Sequence, residues 1–354
     1  MKKILNEDEN PAKMILPASI DESFSSRLAN IGFVCACLVV SLHVPLATRA
    51  GSALYYCHVL FRDFANVSVS VFFMMSGYLL AGHINEPGWW LAAVKKRAKS
   101  LAMPYLFWNA WFLLVTSVIN WSSNGDSTWS GWIHFLGLNP FSGMQLSHLW
   151  FIRCLLVMAL FSSVLSVILM SRVRIVVMVG LFSGMWLIRV LLPSDMNFVT
   201  VFYIYSWFQG IAFFSLGYCW RITKVKGQLG YLFRMLLLLL GLVLFVSSRL
   251  MPTTELLFRN LMQTLGTFST VLWFWYAIPS FRWPKWLTSC SMAVYCMHST
   301  WLYLLVQWES NNECVYIWLL KWALAVSASI LITRLLNLIF PSISRMAFGG
   351  RTLS

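Results

Sequence analysis

"IGFVCACLVVSLHVPLATR", residues 31–49, decides the fold class. An apolar run beginning at Ile31 carries one ionisable ring, His43, near its far end. Its length is close to the ~20 residues that a helix needs to cross the hydrocarbon of a bilayer. Nine further runs of similar character follow, at 63–82, 101–119, 148–169, 174–192, 199–219, 231–249, 261–279, 287–307 and 315–339. The composition agrees. Hydrophobic residues make up 59% of the chain and charged residues only 11%, against about 25% charged in an ordinary soluble domain. The sequence predicts an all-α, polytopic membrane bundle of ten helices with both termini cytosolic. Residues 1–26 form a cytosolic tail, 27–341 the membrane domain and 342–354 a second tail.

The first 26 residues carry Glu7, Asp8, Glu9, Asp21 and Glu22 and no apolar core. They do not read as a secretory signal. The formal net charge of +14 would suit a nucleic-acid binder, but its distribution argues for topology instead. With the N-terminus inside, the cytosolic segments hold Lys95, Lys96, Arg97 and Lys99, then Arg172 with Arg174, Arg221, Lys224 and Lys226, Arg282 with Lys285, and Arg345 with Arg351. The outer segments 120–147 and 308–314 have no Lys or Arg. This is the positive-inside pattern, with Arg49, Arg62, Arg249 and Arg259 as outer exceptions. Lipid is the expected partner and nucleic acid is not.

The cysteines show no metal spacing, and no metal is expected. Cys57 and Cys314 both fall in predicted outer loops, and whether they pair is left open by the sequence. The outer loop from Asn120 to Pro140 carries Trp121, Trp129 and Trp132, which suit the headgroup level or, alternatively, stacking on a sugar. No internal repeat is detectable.

Ionisable groups inside spans are costly and therefore mark function. At ~1.5 Å per residue, His43 lies roughly 24 Å from Arg27, in the outer half. The fourth run opens "SHLWFIRCLL", residues 147–156, with His148 at its outer mouth and Arg153 roughly 7 to 8 Å deeper. The ninth run contains "SCSMAVYCMHSTWLYLL", residues 289–305, and places His298 near mid-membrane. Three histidines and an arginine on three helices are thus expected at similar depth. Each has a structural alternative: a headgroup-level ring for His148, a stack of Arg153 on Trp150, a helix-packing hydrogen bond for His298. The second run repeats Asp63, Asn66, Ser70 and Gly77 at helical spacing. That stripe suits either close helix packing or the wall of a wet cavity. The basic run "KKRAKSLAMPYLFW", residues 95–108, suits lipid phosphates or a phosphate-rich cofactor.

These segments together resemble the membrane-bound acyltransferase family 3, bacterial O-acyltransferases that modify glycans. The resemblance runs from about Arg27 to Pro341. It is carried by "LVVSLHV" (38–44), "SVFFMMSGYLL" (70–80), "KKRAKSLAMPYLFW", "SHLWFIRCLL" and the late helix with Ser, Tyr and His. It implies transfer of an acyl group, often acetyl from cytosolic acetyl-CoA, to a hydroxyl of a surface or lipid-linked glycan. It also implies a bacterial inner membrane and an acid/base histidine at His43. Where the family usually has an arginine eleven residues before that histidine, this chain has Gly32.

On this reading Lys95, Lys96, Arg97 and Lys99 hold the phosphates of the donor. His43 removes a proton from the acceptor hydroxyl. Arg153, His148 or Ser76 stabilises the oxygen of the attacked carbonyl, and His298 orients His43 or gates the acceptor. A proton-coupled exporter of glycan or lipid-linked sugar is the rival reading, since buried His and Arg suit it equally.

Overall fold

The computed structural model describes residues 22–46, 51–119, 147–192, 198–223, 229–252, 254–279, 282–306 and 315–349. Among them there is helix and no strand. Helices α1 (Glu22–His43), α2 (Ala53–Ala81), α3 (Trp89–Arg97) and α4 (Met103–Ile119) come first, with a π-helical turn at Ala98–Ala102 between the last two. Then follow α5 (Trp150–Leu160), α6 (Ser162–Met170), α7 (Arg174–Leu191), α8 (Phe198–Ile222), α9 (Tyr231–Leu250) and α10 (Leu256–Ala277). The short α11 (Lys285–Thr288) leads to α12 (Ser291–Val306), α13 (Val315–Ile339) and α14 (Pro341–Ala347).

Each predicted apolar run coincides with helix in the described residues. Four helices, α1, α2, α9 and α13, are individually long and apolar enough to cross a bilayer, and the bent pair α5–α6 makes a fifth. The most apolar of the four, α9, is also the least covered by protein. It presents Leu232, Leu239, Leu240 and Val243 outward, and α7 presents Ile175, Val176 and Val179. Such broad apolar surfaces suit contact with lipid.

The boundaries differ from the expected ones for local reasons. Pro45 disfavours the helical conformation at the residue before it, so α1 stops at His43 rather than running to 49. Helix α2 begins ten residues before the expected 63, where the Ser52 side chain accepts from the Tyr55 amide at 3.1 Å. Cys57 is therefore an exposed helical residue and not a loop residue. Cys314 and the tryptophans of 120–140 lie outside the described residues. The single run 148–169 is broken into α5 and α6, bent by 67° at Phe161. Ser162 Oγ donates to the Ala159 carbonyl at 2.7 Å, and the Leu160 carbonyl accepts from Trp90 Nε1 at 2.9 Å. Side chains thus take over where the helical ladder is interrupted.

The two ends of the bundle are distinct. At the basic end, Arg282 pairs with Glu22 at the start of α1, and Phe24 stacks on Tyr78 near the end of α2. Arg221, at the end of α8, lies over the same Tyr78 ring at 4.8 Å. The C-terminal turn also docks there. Pro104 has no N–H to offer the Ser100 carbonyl, and Gly349, at φ +74, packs its backbone against that carbonyl. At the opposite end, Trp318 near the start of α13 donates to the Val44 carbonyl at 3.2 Å, just beyond α1.

Helices α2 and α8 form the centre, and they touch backbone to backbone. A Cβ on Gly77 would lie 1.9 Å from the Phe214 carbonyl oxygen, and one on Gly217 would lie 1.9 Å from that of Met74. The glycine of the "SGY" segment is thus a packing requirement. Half of the polar stripe on α2 serves this contact, since Ser70 accepts from Gln209 on α8 at 2.8 Å. Gly77→Ala is expected to lower the thermal midpoint in detergent sharply, by overpacking worth about 1–3 kcal/mol or more. Gly180→Ala, where an added Cβ meets nothing within 4 Å, is expected to leave it within a degree or two.

Candidate active site

The three histidines come together. The ring centroids are 6.1 Å apart for His43 and His148, 5.0 Å for His43 and His298, and 4.5 Å for His148 and His298. His43 ends α1, His148 sits in the 3-10 turn that starts α5, and His298 lies two turns into α12. The expectation of similar depth, made from spacing alone, therefore corresponds to a real cluster.

Hydrogen bonds settle the tautomer of one ring and fix the orientation of another. His298 is fully buried, and its Nδ1 lies 2.6 Å from the Tyr295 carbonyl oxygen. A carbonyl can only accept, so Nδ1 carries a proton and the neutral ring has its lone pair on Nε2. That Nε2 is buried with no hydrogen-bond partner among the described residues. His148 Nδ1 is 2.7 Å from Ser299 Oγ, and its Nε2 is likewise buried without a partner. Tyr295 donates its hydroxyl to the His148 carbonyl and so ties the 3-10 turn to α12. His43 differs from both: densely surrounded by protein, it is nonetheless accessible, because it borders a cavity.

That outer cavity has a volume of about 520 Å³. Its wall carries His43 and His148, the aromatic rings of Trp150, Phe151, Phe202, Tyr205 and Tyr295, and the polar residues Arg62, Asp63, Asn66, Gln209 and Arg249. The other half of the α2 stripe, Asp63 and Asn66, is thus cavity wall. Both readings of the stripe hold, on successive turns of one helix. Asp63 is clasped by Arg249 through two bonds, Nε to Oδ2 at 2.8 Å and Nη2 to Oδ1 at 2.5 Å.

A second cavity, of about 390 Å³, opens at the basic end. Gly32, Phe72, Ser76 and Arg97 line it, together with Lys285, Thr288, Ser289 and Ser291. Two cations beside several hydroxyls fit a ligand that bears phosphate and amide groups. Of the four predicted phosphate-binding cations, only Arg97 reaches this cavity. Lys95, Lys96 and Lys99 are exposed on the surrounding helix and π turn. Lys285 does reach it and was not singled out by the sequence, where it counted only as a topology-setting charge. Ser76 belongs to this cavity and not to the histidine cluster. Arg153 lines neither cavity. It is buried, with its guanidinium 5.5 Å from the Tyr203 ring.

The two cavities nearly meet. On α2, Val69 faces the outer one and Phe72 the basic one; on α12, Ser291 faces the basic one and Tyr295 the outer one. The separation is roughly 4.5 Å along α2 and about 6 Å along α12. Phe72 fills it, with its ring 5.6 Å from Phe151 and 6.5 Å from Tyr295. The histidine cluster stands beside this partition on the outer side.

A family model described as "Acyltransferase domain", that of acyltransferase family 3, matches residues 32–338. The chain belongs to this family and is an acyltransferase by that membership. No curated protein and no solved structure matches it.

The Asp63–Arg249 clasp is expected to hold α2 to α9 at the cavity rim. Asp63→Asn and Arg249→Gln should each lower the thermal midpoint, and the double variant should lose little more than either single one. The coupling is expected at about 1–3 kcal/mol. Additive losses would mean that the two side chains do not act as a pair.

Proposed function

We propose that the protein is an integral-membrane O-acyltransferase that carries an acyl group, acetyl in the first instance, from cytosolic acetyl-CoA to a hydroxyl of a cell-surface or lipid-linked glycan. In this reading the chain crosses a bacterial inner membrane ten times, with the basic end and both termini in the cytosol. The observation that carries it is the pair of cavities on opposite ends, separated by about one turn of helix with three imidazoles at the partition. An exchange between a donor from one side and an acceptor from the other needs that arrangement.

The basic cavity takes the acyl donor. Arg97 and Lys285 face its phosphates, with Lys95, Lys96 and Lys99 forming a broader positive rim. The hydroxyls of Ser76, Ser289 and Ser291 suit the amides of the donor's arm. The acyl end passes Phe72 to reach the histidines.

The acceptor hydroxyl enters the outer cavity beside His43, the accessible ring of the three. His43 takes its proton, and the oxygen attacks the thioester carbonyl. The new C–O bond forms as the C–S bond breaks, and the proton on His43 goes to the departing thiolate. His298, whose ring centroid lies 5.0 Å from that of His43, packs against it and keeps that ring facing the cavity. His148, when Ser299 donates to its Nδ1, has an N–H on Nε2 with no hydrogen-bond partner among the described residues. It is the group proposed to stabilise the carbonyl oxygen, where a single donor is worth on the order of 10²–10³ in rate. Arg153 acts by positioning: its charge braces α5, which carries the His148 turn.

Cells expressing the wild type or His43→Ala, at matched membrane levels, should be given labelled acetate and their surface glycans counted. Label should fall by about 10²–10⁴-fold in the variant. Undiminished transfer would remove His43 from the chemistry, and no label with the wild type would remove acetyl transfer to surface glycans.

A further inference from the structure

The positive-inside pattern explains the cations at the basic end and leaves Arg62 and Arg249 unexplained, because both lie at the other end. Both line the outer cavity. Their surroundings separate them. Asp63 is the one carboxylate among the described residues of that wall, and Arg249 holds both of its oxygens. Arg62, next to Asp63 in the chain, makes no ion pair among the described residues. With neutral histidines the described residues of the wall therefore carry one positive charge that no carboxylate among them pairs, and that charge belongs to Arg62. It lies close enough to His43 and His58 to act electrostatically on both rings. Arg62 is exposed at that wall and stands where it would meet an anion entering the cavity.

No carboxylate among the described residues of the wall is left to supply that anion, so the acceptor is the candidate to bring it. The rest of the wall is chemically suited to a saccharide, with Trp150 and Tyr205 offering faces for a sugar ring and Asn66 and Gln209 offering amides for hydroxyls.

We infer that the acceptor is an anionic saccharide, bearing its negative charge near the hydroxyl to be acylated, and that Arg62 is the residue that holds that charge. The inference rests on the acyltransferase reading for what the cavity is used for. The anion is an oxyanion that a guanidinium can grip with two parallel hydrogen bonds. A carboxylate of an acidic sugar and a phosphate linking a sugar to a lipid both have this form.

The test is equilibrium binding to the full chain in lipid nanodiscs, with no acyl-CoA present. Two matched pairs of probes separate the sources: a glucuronate-containing trisaccharide against its carboxyl-reduced form, and a polyprenyl-phosphate-linked glucose against the same glucose on polyprenol. The wild type should bind the charged member of one pair about tenfold more tightly than the neutral member, as expected for a charged hydrogen bond in a partly enclosed site. Arg62→Gln should abolish that preference while leaving affinity for the neutral member unchanged, which also reports an intact cavity. Arg62→Lys should retain part of it. The pair that shows the preference identifies carboxylate or phosphate. Equal binding of charged and neutral members in both pairs, or a preference that survives Arg62→Gln, would overturn the inference. Because binding is read without transfer, charge selection with no acyl transfer would leave this inference standing and remove the acyltransferase reading. Transfer to charged and neutral acceptors at equal efficiency would do the reverse.

Discussion

Helices α2 and α8 meet with no side chain between them at Gly77 and Gly217, and the rest of the site depends on that contact. Lipid offers no hydrophobic drive to bring helices together, so close backbone approach and a few polar bonds must do it. Once α2 is held there, its successive turns are assigned. Arg62, Asp63 and Asn66 reach the outer cavity, Ser70 bonds to α8, Phe72 fills the partition and Ser76 reaches the basic cavity. One helix thereby lines both cavities, and a shift along its axis would misplace both together.

The histidine cluster draws its order from neutral hydrogen bonds rather than from charge. The Tyr295 carbonyl fixes the tautomer of His298, Ser299 fixes the ring of His148, and the Tyr295 hydroxyl holds the turn that bears His148. All three partners belong to Tyr295 and Ser299, within three residues of His298 on α12, so a single helical segment organises two of the rings. His43 is left as the accessible one because Pro45 ends α1 at that point.

Much of this was legible in the sequence. Apolar runs fix where helices form, because a segment in lipid must satisfy its own backbone. A constant rise per residue then places His43, His148 and His298 at one depth. What spacing cannot give is which helices are neighbours and which way a side chain points. Lys285 and Arg97 belong to one cavity, yet they lie on segments almost two hundred residues apart in a chain where every basic residue at that end looks alike. The bend at Phe161 depends on Trp90, which is distant in sequence. The difference between Arg62 and Arg249 appears only when Asp63 is seen to face one and not the other. Gly32 is a departure from the family pattern that spacing does reveal. The structure adds that it lies in the basic cavity, where a side chain would have room, with Met75 and Phe72 no nearer than 3.7 Å.

The central claim is that a donor from the basic end and an acceptor from the other end meet at the histidine partition. Sealed membrane vesicles of defined orientation test it most directly, with acyl-CoA, which does not cross the bilayer, added outside. With the basic face outward and acceptor trapped within, the account predicts acylated product in the lumen, and none when the vesicles have the opposite orientation. Product formed only when acyl-CoA and acceptor share one side of the membrane would contradict it.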